Sequence, residues 1–456
     1  MHPLDPFFSP RSVAVVGASR NPSKVGHVIY RNFLEGGFRG QVYPVNPNAP
    51  DLFGHPCFPS LAAIPGPVDL AVITVPAELV PAALEDCGRK KVPAVILISA
   101  GFAEIGKKQE EEQLKAIGKK YRLRILGPNC LGVFDPATGV DTLFLPRFKL
   151  GRPEKGSIAY ISQSGATGSV VLDWMAMKGY KVSKFVSYGN AMDIDEADLL
   201  TYLAQDRDTK VICAYFEGVR EGRRFYEVAR SLAGKKPVIV LKGGQTPAGT
   251  TAALSHTGSL AGEARIFDAA LRQAGVIKAA DLEQIFDFAR TFASSPPARG
   301  DRVQVITNGG GFGVLTADAI YQAGLRMASL ADQTKEELTK ALPSHVIIKN
   351  PIDLTGDADT HRYALALDAV LRDPGVDLLA VVTLFQVPTL TPDVVEVLVE
   401  AKGQKPMVVI AAGGKYTEVL KKPLEDVGIP TFSYPERAVA ALKALVEYSG
   451  SRAARA

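Results

Sequence analysis

Ser12-Val13-Ala14-Val15-Val16-Gly17-Ala18-Ser19-Arg20-Asn21-Pro22-Ser23-Lys24-Val25-Gly26 passes from a compact β-branched run, through a turn of small residues, into a helical pattern over 25–34. A buried strand that breaks at such a turn and restarts as a helix is the first half of a βαβ unit. Working outward, apolar runs at 41–45, 70–75, 95–98 and 124–126 each end in a turn signal, and a helical pattern fills 104–121. The alternation predicts a parallel sheet with helices on its faces. It ends near residue 150, where Gly151, Pro153 and Gly156 interrupt the pattern.

A second block alternates in the same way, with strands over 157–161, 184–186, 211–216 and 238–241 and helices over 165–177, 195–205 and 223–233. Lys242-Gly243-Gly244 then opens a stretch of small residues reaching about Gly262, and helix resumes to 292. Ser294-Ser295-Pro296-Pro297-Ala298-Arg299-Gly300 has the composition of a linker. Beyond it, strands at 303–307, 378–383 and 407–411 belong to a third block. The 456 residues therefore divide as 1–150, 151–296 and 297–456, close to the roughly 150 residues of a typical domain. All three read as doubly wound α/β units.

Composition narrows the function classes. With 46% hydrophobic and 22% charged residues the chain is globular, neither disordered nor fibrous. A net charge of +4 gives no nucleic-acid footprint, and no apolar run approaches the roughly 18 residues of a membrane span. Met1-His2-Pro3-Leu4-Asp5-Pro6 lacks the basic and apolar regions of a secretory signal. Cys57, Cys87, Cys130 and Cys213 are widely spaced, without disulfide-framework or metal-ligand spacing. A cytoplasmic protein without a metal site is expected.

Small-residue turns follow several strands at the sheet edge where open α/β folds bind ligands. The Gly17 loop, Val75-Pro76, Ile98-Ser99-Ala100-Gly101-Phe102 and Gly127-Pro128-Asn129-Cys130-Leu131-Gly132 line one edge of the first block. The spacing is not G-x-G-x-x-G, and the second strand ends in Tyr43-Pro44-Val45-Asn46-Pro47 with no acidic residue placed for a ribose diol, which disfavours a Rossmann oxidoreductase. Ser162-Gln163-Ser164-Gly165 and Thr307-Asn308-Gly309-Gly310-Gly311 place helix N-termini after strands in the other blocks, the arrangement that binds phosphate.

His256 lies in Ala253-Leu254-Ser255-His256-Thr257-Gly258-Ser259-Leu260-Ala261-Gly262, and an imidazole is a competent phosphoryl-accepting nucleophile. Its alternative is an exposed loop histidine. Glu217, at the end of strand 211–216, is the best-placed carboxylate to fix its tautomer; alone it reads as a solvated strand end. Lys24, Arg20 and Lys242 read as solvated surface groups able to meet phosphate, and Cys130 as a packing residue.

In these motifs and their order the chain resembles the NDP-forming acyl-CoA synthetases, relatives of succinyl-CoA synthetase, and within them the α subunits of ADP-forming acetate–CoA ligases. The resemblance implies a Rossmann-like CoA-binding domain followed by two flavodoxin-like doubly wound parallel-sheet domains. CoA or acyl-CoA would be held by Gly17, Ala18, Ser19, Lys24, Asn46, Pro76, Ile98, Ser99, Ala100, Pro128 and Asn129. His256 would be phosphorylated and oriented by Glu217, with Ser162, Ser164, Gly165, Asn308, Gly309, Gly310 and Gly311 around the phosphate. The resemblance further implies an ATP-grasp β subunit holding ADP or ATP with Mg2+, in an α2β2 heterotetramer, because no ATP-grasp region remains after residue 300. A non-catalytic CoA-binding regulator is the other reading, disfavoured because a sensor needs no such combination of His256 with two anion-type turns.

Overall fold

The computed structural model describes residues 2–251 and 264–453. His256, on which the nucleophile reading rests, lies outside the described residues. Two compact units result, Met1–Ala279 and Ala280–Ala456.

The first unit holds two large sheets, besides a two-stranded hairpin of Asp51–Leu52 with His55–Pro56. In the first, β1 (Ser12–Val16), β2 (Gln41–Val45), β3 (Leu70–Ile73), β4 (Ala94–Leu97) and β5 (Arg124–Leu126) run parallel in the order β2-β1-β3-β4-β5. Val13, Ala14 and Val15 are wholly buried, as are Leu70 to Ile73. Both faces of these strands meet helices, so the runs are continuously apolar instead of alternating. Helices α1 (Val25–Glu35), α2 (Val80–Lys90) and α3 (Lys108–Tyr121) supply the cover.

The second sheet comprises β6 (Gly132–Asp135), β7 (Val140–Asp141), β8 (Lys155–Ser162), β9 (Val182–Ser187), β10 (Val211–Phe216), β11 (Val238–Lys242) and β12 (Ile277–Lys278). Their order is β12-β11-β10-β8-β9-β6-β7, with only β6 and β7 antiparallel to their neighbours. Helices α4 (Gly165–Met177), α5 (Glu196–Gln205), α6 (Gly222–Leu232) and α7 (Ala264–Ala274) join the strands. The short β6–β7 hairpin precedes residue 150 yet pairs with β9, since an isolated hairpin is marginal and the edge of β9 completes it. Fully buried Asp141 then fastens the crossover, accepting from Arg152 at 2.8 Å and Arg147 at 3.0 Å.

The second unit begins with α8 (Leu282–Ser294), which the sequence pattern attaches to the middle block. Its Asp287 accepts from Arg437 Nε at 2.6 Å, tying it to the C-terminal helix Pro435–Ala453. The third sheet contains β13 (Arg302–Thr307), β14 (Arg326–Met327), β15 (Ile347–Ile348), β16 (Ile352–Asp353), β17 (Leu378–Val382), β18 (Met407–Ile410) and β19 (Thr431–Phe432). The order is β15-β16-β13-β17-β18-β19, with β14 also on β13. In each of the three large sheets the first long strand of the parallel core lies inside the sheet, and the winding reverses beside it, where α/β sheets open a crevice. Among the described residues no helix is long and apolar enough to cross a membrane.

Candidate functional site

The turn after β1 is shaped by close packing before any ligand is considered. Gly17 has φ +95°, and a Cβ there would lie 2.7 Å from Thr74 Oγ1. One at Gly26 would lie 2.1 Å from the carbonyl oxygen of Gly17. Glycine is therefore required at both positions where helix α1 starts against the turn. Asn46 Nδ2 donates to Ala18 O at 2.7 Å and His27 Nδ1 donates to Ser19 O at 2.9 Å, so two side chains hold the loop open toward the crevice.

A cleft of about 1410 Å³ runs from this loop to the start of α4. Of the expected CoA residues, Gly17, Ser19, Lys24, Asn46, Pro76, Ile98, Ser99, Ala100 and Asn129 line it. Ser164, Gly165 and Glu217 line it too, joining edges of both sheets in one concavity. Ala18, Pro128 and Ser162 are buried behind its wall. Across the cleft, Asn190 Nδ2 donates to Glu104 Oε2 at 2.7 Å and to Glu111 Oε2 at 2.8 Å. Burial of Glu104 raises its pKa, but donation from Asn190 and from nearby backbone N–H groups outweighs this and holds the carboxyl below its ordinary value.

At the far end, Ser164 caps α4, its Oγ accepting from Thr167 N at 3.2 Å. The first N–H groups of a helix have no intrahelical acceptor, so those of Gly165 and Ala166, both on the cleft wall, remain for an anion. Ser162 Oγ serves the turn itself, donating to Ser164 O at 2.7 Å.

Glu217 is not a solvated strand end; it is 7% exposed. Its N–H donates to Gln163 Oε1 at 2.7 Å, its carbonyl accepts from Lys242 Nζ at 2.8 Å, and its Oε1 accepts from Tyr215 Oη at 3.4 Å. Oε2 is buried and has no partner among the described residues. A lone carboxylate oxygen at a cleft wall is costly unless something arrives to meet it.

Lys242 departs from the surface role read for it. It is 6% exposed, and burial lowers its pKa against the pull of Glu217. As the last residue of β11 it bonds backbone carbonyls, which the sequence pattern does not reveal. Arg20 is exposed and pairs with Asp51. Cys130 packs as expected, with burial pushing its thiol up to about 12. Gln163 and Tyr215 carried no signal of their own in the sequence; only their contacts with Glu217 identify them.

In the second unit the same strand–turn–helix device recurs. Thr307 Oγ1 donates to Gly309 O at 2.9 Å, as Ser162 does to Ser164, and α9 (Gly310–Gln322) follows. Asn308 does not face an anion with a free amide. Its Nδ2 donates to Leu384 O at 3.1 Å and its Oδ1 accepts from Leu384 N at 2.8 Å, which locks the turn to the next strand end. Gly310 and Gly311 are exposed at the helix start, and a Cβ at 310 would lie 2.9 Å from Asp353 Oδ2. A carboxylate thus shares this helix end.

Three family models match in succession: a CoA binding domain over residues 11–136, a succinyl-CoA ligase like flavodoxin domain over 155–292 and a ligase-CoA domain over 303–456. The α subunit of acetate–CoA ligase [ADP-forming] II of Pyrococcus furiosus is 42% identical, with 97% of each chain covered. Acetate–CoA ligase [ADP-forming] I of Archaeoglobus fulgidus is 41% identical over 98% of this chain, which spans 64% of that longer protein. Among solved structures, the dinucleotide-forming acetyl-coenzyme A synthetase 1 of Ca. Korarchaeum cryptofilum, in complex with phosphate and ADP, is 37% identical, covering 99% of this chain and 97% of that one, with a TM-score of 0.93. With a cleft that joins a CoA-type crevice to a capped helix end, the chain belongs to the α subunits of the ADP-forming acetate–CoA ligases, within the NDP-forming acyl-CoA synthetases.

Proposed function

We propose that the chain carries the acyl-CoA half of the reversible reaction acyl-CoA + ADP + phosphate = carboxylic acid + CoA + ATP, with acetate as the reference acid. The single observation that carries the reading is the unpartnered, buried Oε2 of Glu217 in the same cleft as the open start of α4 and the CoA-type loops.

CoA lies along Gly17, Ser19, Lys24, Pro76, Ala100 and Asn129, its thioester directed at Gly165. A phosphate oxygen bonds to the thioester carbonyl carbon, the C–S bond breaks, and CoA leaves as a thiolate that takes up a proton. The N–H groups of Gly165 and Ala166 receive the negative charge that builds during this step. His256 then attacks the phosphorus of the acyl phosphate, and the bond from phosphorus to the acyl oxygen breaks, releasing the carboxylate. Glu217 Oε2 accepts from the other ring nitrogen and keeps the attacking nitrogen unprotonated. The phosphoryl group passes from His256 to ADP on an ATP-grasp β subunit in an α2β2 assembly, with Mg2+ at that subunit.

The subunit naming of the Pyrococcus furiosus relative supports a separate partner. The phosphate and ADP in the Korarchaeum relative support those ligands. Incubation with acetyl-CoA and radiolabelled phosphate tests the reading. The chain, co-expressed with its β partner, acquires base-stable, acid-labile label that His256→Ala abolishes. Label on any other residue overturns the assignment, and ATP synthesis by the chain alone overturns the need for a partner.

A further inference from the structure

The Glu217 carboxylate has one oxygen occupied and one open, and the group that occupies the first comes from its own strand. Tyr215 Oη donates to Glu217 Oε1 at 3.4 Å. Thr167, in the first turn of α4, lies beside this hydroxyl, and its N–H is the one capped by Ser164. Burial first, and then the neighbouring carboxylate, push the phenol up to about 12, so it is protonated throughout the working pH range. The space for it is made by Gly243, just beyond Lys242: a Cβ at 243 would lie 2.8 Å from Tyr215 Oη but 3.4 Å from Cζ and 3.6 Å from Glu217 Cγ. Only the phenolic oxygen forbids a side chain at 243.

From this geometry we propose that Tyr215 is a positioning residue for phosphoryl transfer. By holding Oε1 it fixes the rotation of the carboxylate and leaves the unpartnered Oε2 as the oxygen to accept from an imidazole. The assignment rests on the reading that Glu217 orients the phosphoryl-accepting imidazole. Among the described residues, other charged or titratable groups around Glu217 are Lys242 on β11, which bonds its carbonyl and feels its charge, and Tyr188 after β9, which also senses that charge. Arg220 lines the same cleft and its N–H is bonded to Glu196. Among the described residues Tyr215 is the one that bonds the carboxylate itself.

The test compares Y215F, G243A, the double variant and E217Q in the complete enzyme, following label transfer from phosphate and turnover against pH. Y215F removes one oxygen and is expected to lower kcat about tenfold with KM for acetyl-CoA unchanged. G243A displaces the hydroxyl and reproduces the loss, but adds nothing in the Y215F background, where the clash is gone. Y215F with kcat within twofold of the parent overturns the assignment, as does a G243A loss that multiplies with that of Y215F. Should Y215F fail to fold, G243A alone carries the kinetic test. If E217Q is fully active, the reading of Glu217 fails; an inactive E217Q beside an unaffected Y215F removes only the role of Tyr215.

Discussion

Gln163 Oε1 accepts from the backbone N–H of Glu217 at 2.7 Å and is shared with Gly218 at 3.0 Å, so one amide side chain pins the turn that presents the carboxylate. Truncation in Q163A leaves two N–H groups without their acceptor and costs about 1–3 kcal/mol. We expect kcat to fall at least about tenfold, with a lesser effect on KM. Q163E retains the acceptor and should recover the melting temperature but not the rate. Equal activity in Q163A and the parent would show that the turn holds itself.

The first loop predicts a contrast between two glycines. G26A places a methyl against backbone, the carbonyl of Gly17, which cannot yield without moving the turn. G17A meets a side-chain hydroxyl but also a left-handed backbone. Both variants should bind CoA more weakly by calorimetry, G26A with the larger loss of thermal stability. Unchanged CoA affinity in G26A would separate this loop from the cofactor.

Asn190 stands between two carboxylates, Glu104 and Glu111, on the cleft wall. N190D substitutes a third negative charge for a shared donor. The wall should open, raising KM for acyl-CoA about tenfold or more, while N190A has a smaller effect. Steady-state kinetics at low and high salt distinguish the electrostatic contribution, which salt reduces.

Glu196 provides a pH prediction. Burial pushes its carboxyl from an ordinary 4.5 up to about 7, against donation from the Arg220 N–H. The native state therefore holds this proton more tightly than the unfolded chain. The associated stability is complete below about 4.5 and is lost as pH rises through about 7. E196Q, which cannot ionise, should gain on the parent by up to roughly 3 kcal/mol between those limits. Melting curves across that range check it; a difference independent of pH contradicts it.

Much of this protein was readable in the linear chain because its signals are local. Val13 to Val16 followed by Gly17 is a strand ending at a close approach, and 165–177 matches α4 residue for residue. The small-residue turns after strands that line the cleft were likewise visible. The hairpin β6–β7 was not, because strands that short, with Gly132, Asp135 and Asp141 among them, carry no period of their own. Attachment of α8 to the second unit was equally silent, since an amphipathic face does not name its partner.

Tertiary structure alone decided what surrounds Glu217. Gln163, Tyr215 and Lys242 come from three strand ends, and their meeting depends on the register of β8, β10 and β11, which set a residue at each carboxyl end side by side. Sequence determined the residue types, the helix starts and the glycines, because backbone geometry and burial act over a few neighbours. Whether a carboxylate is solvated or buried, and whether a lysine meets water or a carbonyl, is set by what the fold packs over it.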